Sequence, residues 1–134
     1  MKKNRILHVL LIAGVIVAGV QFSLSTSQSK ETVKQLHNHQ SPTLDVEHQL
    51  NGNKLSLSLK VANFTFSLDH MGKENKHGEG HVHLYVDGQK VAKIFDNNFL
   101  YDKLTPGKHE VTVELAHNDH SSYGVKKVFW VEVK

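Results

Sequence analysis

His81 and His83 stand two positions apart in the run GEGHVHLYVDG, residues 78–88. His81, His83 and Tyr85 alternate with Val82, Leu84 and Val86, a period of two that predicts a β-strand with both imidazoles on one face. Such residues are about 6.6 Å apart along a strand, so two imidazoles so placed can lean onto one metal ion with bonds of about 2.0–2.1 Å. Gly78 and Gly80 give the chain an unusual route into that strand. The plain alternative is that His81, His83 and Tyr85 form the solvated face of an antiparallel sheet, where polar residues belong.

Further ligands must come from elsewhere, and the best source is the run AHNDHSSYG with His117, Asp119 and His120. If the strand carrying His81 pairs antiparallel with the strand Val111 to Ala116, the start of one and the end of the other meet at one edge. The expected metal set is therefore His81, His83 and His120, completed by His117 or Asp119. The loop LDHMGKENKHGEG ends at the same edge and holds His70, Met71 and His77 in reserve, Met71 being of interest for Cu(I). His37 and His39 form another His-x-His, but in a segment that would not preorganise a site. His48 and His109 sit alone on expected strands and read as packing or surface histidines.

The elements that must position these side chains are short strands. Of 134 residues, the first 27 carry Lys2, Lys3 and Arg5, then an apolar run from Ile6 to Val20. That is the pattern of a secretory signal, with an uncleaved membrane anchor as the alternative. Without it, 13 Lys and Arg face 13 Asp and Glu, so no basic stripe remains and nucleic acid is not an expected partner. The chain has no cysteine, which excludes disulfides and thiolate metal sites and leaves stability to the core. Ten of the 11 histidines lie beyond the signal, the main compositional anomaly.

Residues 28–42 read as a polar linker. From residue 43 to 134, alternating apolar positions, the turn signals Asn51-Gly52, Asp87-Gly88 and Thr105-Pro106-Gly107, and the absence of helical periodicity predict about seven strands. Leu55, Leu57, Leu59 and Val61 alternate, and Phe64 and Phe66 follow after a phase slip that suggests a bulge. The expected fold is an antiparallel β-sandwich of immunoglobulin or fibronectin type.

GEGHVHLYVDG followed by LTPGKHEVTVELAHNDHSSYG resembles small exported bacterial domains with immunoglobulin-like folds, which carry a Gly-His-x-His strand and an Asn-Asp-His turn. The likeness covers Leu68 to Tyr123. The family is largely of unknown function; the resemblance implies metal binding and places His81, His83 and His120 on its histidine positions, with His117 and Asp119 beside them. A looser similarity links the chain to periplasmic copper-resistance β-sandwiches, in which the mature N-terminal residue helps bind copper. The terminus expected here is not histidine, so that ligand does not carry over.

The sequence therefore predicts an exported, monomeric β-sandwich of the extracellular space or cell envelope, binding one copper or zinc ion for delivery or buffering. Its partners are the metal ion and a cell-surface or membrane protein, with membrane attachment only through an uncleaved signal. Catalysis is not expected, since no nucleophile, base and acid are spaced for hydrolysis. A copper oxidase with a histidine brace would need cleavage just before His37. The other alternative is a metal-free cell-surface interaction module. Imidazoles with ordinary pKa near 6.5 would release the ion below about pH 6.

Overall fold

The computed structural model describes residues 40–134; the expected signal and most of the linker lie outside them. Eight strands form two sheets: β1 (Thr43–Asn51), β2 (Lys54–Ala62), β3 (Thr65–Phe66), β4 (Glu79–Val86), β5 (Gln89–Ile94), β6 (Asn98–Tyr101), β7 (Gly107–Ala116) and β8 (Ser122–Val133). One sheet has the order β1-β2-β6. In the other, β4 pairs with β7 and β7 with β8, while β3 and β5 share the remaining edge of β4. Pairing the first two strands with a later one, and the middle hairpin with the last two, is the topology of an immunoglobulin/fibronectin-like β-sandwich.

The apolar halves of the alternating strands meet between the sheets. Leu55, Leu57 and Leu59 of β2 face Val82 and Leu84 of β4, Val111, Val113 and Leu115 of β7, and Val131 and Val133 of β8, all buried. Each such side chain contributes about 1.5–3 kcal/mol on burial, which is how a chain without disulfides holds the fold.

Two expectations change. The phase slip after Val61 is not a bulge: Asn63 takes φ 54°, and the chain leaves the first sheet to join the second as β3. This adds an eighth strand, and β3 runs parallel to β4, with Thr65 opposite Glu79 and Phe66 opposite Gly80. The apolar period resumes because Phe64 and Phe66 pack on the same core from the other layer.

The alternation on β4 sends Val82 and Leu84 inward and His81 and His83 to the outer face of the five-stranded sheet. That face is not solvated here. His81 is 0% exposed and His83 2%, because Phe95 stacks over His81 with ring centroids 5.3 Å apart and His120 folds over both rings.

Candidate metal centre

The register puts His81 opposite Ala116, the last residue of β7. Gly80 makes that approach feasible, since a Cβ there would lie 1.9 Å from the carbonyl oxygen of Ala116. The chain then turns tightly. The His120 amide donates to the His117 carbonyl at 3.0 Å, and the His117 amide to the Ser121 carbonyl at 2.8 Å. His120 sits at φ 71°, a left-handed conformation that a non-glycine residue adopts at a cost on the order of 1 kcal/mol. This turn folds the His120 ring back onto β4.

Three imidazoles converge as a result. Nε2 of His81 lies 2.9 Å from Nε2 of His83 and 3.1 Å from Nδ1 of His120, and the donor atoms of all three are within 4.8 Å of one another. Two nitrogens bound to one ion at 2.0–2.1 Å stand about 2.9–3.4 Å apart for angles between a right angle and a tetrahedral one. The spacings around His81 fit that range. A proton on His81 Nε2 can serve only one of its two neighbours, so hydrogen bonding alone leaves the cluster incompletely satisfied.

The surroundings favour neutral rings with free lone pairs. Burial, then the neighbouring imidazoles of His83 and His120 and the charges of Lys93 and Lys90, push His81 from 6.5 down to about 4. His83 is pushed to about 4 by burial first, then by Lys90, His120 and Lys93. The Tyr85 hydroxyl lies 3.3 Å from His83 Nδ1, so that a proton on Nδ1 leaves Nε2 free to bind. Nδ1 of His81 is buried with no hydrogen-bond partner.

His117 and Asp119 stand outside this triad. The His117 ring stacks on Tyr123, with centroids 3.5 Å apart and planes at 26°. The Asp119 carboxylate accepts the Ser121 amide at 2.9 Å and its hydroxyl at 2.5 Å, which lowers its pKa and shapes the turn. His70 of the reserve set pairs with Glu79, which also accepts Asn118 Nδ2 at 3.1 Å. Asn118 is fully buried, and its backbone carbonyl accepts the Gly72 amide at 2.6 Å. The loop 67–78 is thus fastened to the turn that carries His120. Met71 and His77 do not join the triad, and His37 and His39 lie outside the described residues.

Residues that the sequence did not point to complete the site. Phe95 roofs His81, and Tyr123 holds the turn from below through the His117 stack and a 2.8 Å bond from its hydroxyl to the Glu79 carbonyl. The Tyr that follows the Asn-Asp-His run was the available signal, since a buried phenol needs a polar partner. His48 stacks on Phe129 at 3.9 Å, and His109 pairs with Asp87 at 2.6 Å, so both lone histidines are engaged in packing.

No protein-family model and no curated protein matches the chain. Among solved structures it is similar to the PKD1 domain of Vibrio anguillarum Epp, with a TM-score of 0.44 and 12% identity over 72% of this chain and 96% of that one. The PKD1 domain of the Vibrio cholerae metalloprotease PrtV gives a TM-score of 0.45 and 11% identity over 71% and 99%. The fibronectin(III)-like modules of Clostridium thermocellum CbhA give 0.41 and 16% over 67% and 97%.

Proposed function

We propose that this is an exported domain that binds one transition-metal ion, copper or zinc, through His81, His83 and His120, and serves in extracytoplasmic metal binding, delivery or buffering rather than catalysis. The observation that carries the reading is the convergence of three buried imidazole donors, two of the spacings being 2.9 and 3.1 Å. Polar groups are seldom buried together without a shared partner, and a cation accepts all three lone pairs at once. Imidazole ligands suit copper and zinc. Export is supported by the basic start and apolar run at the N-terminus.

Calorimetric titration of the metal-free protein with Cu(II) and Zn(II) tests this, expecting one ion per chain. Affinity unchanged in a His81→Ala/His83→Ala double variant would sink the assignment.

A metal-free interaction module is the second reading, favoured by Trp130 and Val128, 55% and 49% exposed side by side on the outer face of β8. A melting temperature that does not change when metal is added or chelated would favour it.

A further inference from the structure

We infer that the triad binds monovalent copper in preference to divalent copper or zinc. The inference rests on the metal reading above and concerns the charge that the site accepts.

All three donors are neutral. Among the described residues no carboxylate or thiolate joins them, so the protein supplies no negative charge to the ion. Desolvation penalises the ion steeply: the cost of moving it from water into a less polar site scales as the square of its charge, about fourfold more for a dication than for a monocation. His81 and His83 are buried and His120 is half-buried, so an ion held by the three gives up much of its hydration.

The flanking charges act in the same direction. Lys93 is the direct neighbour of His83 across β5. Lys90 lies 5.9 Å from the centre of the Tyr85 ring, whose hydroxyl is beside His83. Lys93 and Lys90 are paired on β5 with His83 and Tyr85 of β4, so both ammonium groups flank the histidine-bearing strand. Glu114, opposite His83 on β7, offsets one of these two charges and leaves the flank net positive. The repulsion from Lys90 and Lys93 is twice as large for a dication as for Cu(I).

Coordination number agrees. Zinc in proteins is almost always four-coordinate, and where three histidines hold it a water fills the fourth position, so zinc here would need a ligand beyond the three imidazoles. His117 and Asp119, the residues expected to supply a fourth, lie outside the cluster, the His117 ring stacked on Tyr123 and the Asp119 carboxylate accepting from Ser121.

The test compares the metal-free protein with a Lys90→Glu/Lys93→Glu variant, both positions being exposed and outside the core. Cu(I) affinity is measured anaerobically under excess reductant against a chromophoric Cu(I) chelator, and Cu(II) and Zn(II) affinities by calorimetry. The unaltered protein is expected to bind Cu(I) at least about tenfold more tightly than either divalent ion, and the charge reversal to strengthen divalent binding by about the square of its effect on Cu(I), for instance tenfold against threefold. Divalent binding as tight as that of Cu(I), or equal shifts for ions of both charges, overturns the inference while leaving the metal reading intact. If none of the three ions binds, the metal reading fails and this inference with it.

Discussion

Nε2 of His81 and Nε2 of His83 face each other at 2.9 Å on the outer surface of β4, two residues apart in sequence and buried together. His81 is the pivot, since its Nε2 also lies 3.1 Å from His120. Replacing it removes the donor common to both short spacings. His81→Ala is expected to weaken metal binding by more than about a hundredfold, beyond the 10–100-fold typical of an outer-shell change. His117→Ala, which removes a stack on Tyr123, is expected to lower thermal stability while keeping metal affinity within a few-fold. Parallel titrations and melting curves of the two variants check the contrast.

Acid should destabilise the metal-free protein before it would a protein with ordinary histidines. His81 and His83 sit near 4 in the fold against 6.5 in the unfolded chain, so the unfolded state binds more protons. The stability held above pH 6.5 is therefore lost as the pH falls from about 6.5 toward 4. Urea midpoints between pH 7.5 and 4.5 should fall steeply, and the slope should flatten in His81→Ala/His83→Ala. With these two donors neutral to about pH 4, proton competition at them sets in well below the pH 6 expected from ordinary imidazoles.

At the opposite end of β4, His109 gives the reverse dependence. Its Nδ1 lies 2.6 Å from Asp87 Oδ2, and its Nε2 2.8 Å from the Thr105 carbonyl, two acceptors that only an imidazolium can serve at once. The Asp87 hydrogen bond first, then Thr105, raises its pKa above 6.5. This contribution is complete below pH 6.5 and is lost as the pH rises through the raised value. His109→Gln should therefore cost melting temperature at pH 6 and progressively less at higher pH; a cost independent of pH would count against an imidazolium.

Gly80→Ala places a Cβ 1.9 Å from the backbone carbonyl of Ala116, where no side chain can yield. β4 must separate from β7 at the point where His81 meets the His120 turn. We expect a loss of at least about 1–3 kcal/mol in stability, as for overpacking, together with weakened metal binding. Chemical denaturation and metal titration measure the two losses.

His120→Gly should separate stability from binding. Glycine adopts φ 71° freely, so relief of strain on the order of 1 kcal/mol offsets the packing lost with the ring, and the metal-free protein is expected to keep its stability to within about 1 kcal/mol. The third donor is lost, so metal affinity should drop. A variant both less stable and equally tight in metal binding would contradict the assignment of His120.

The period-two patterning from Thr43 onward and the turn signals sufficed to read a β-sandwich, because burying one face of each strand leaves little other arrangement. The His81-Val82-His83 spacing and the meeting of β4 with the end of β7 were legible for the same reason, since antiparallel pairing puts the start of one strand beside the end of the other. The strand switch at Asn63 was not, because a phase slip in an apolar pattern looks alike whether a strand bulges or changes sheets.

Which histidine of the His117 to His120 run turns toward His81 depends on a single turn. The alternation of β7 ends at Ala116, and beyond it the direction of each side chain follows from local hydrogen bonds and the left-handed φ of His120, which spacing does not encode. The burial of an outward-facing pair was equally hidden. Residue order shows which face of β4 carries imidazoles; only the packing of Phe95 and His120 over that face decides that His81 and His83 are shielded from water and hence resist protonation.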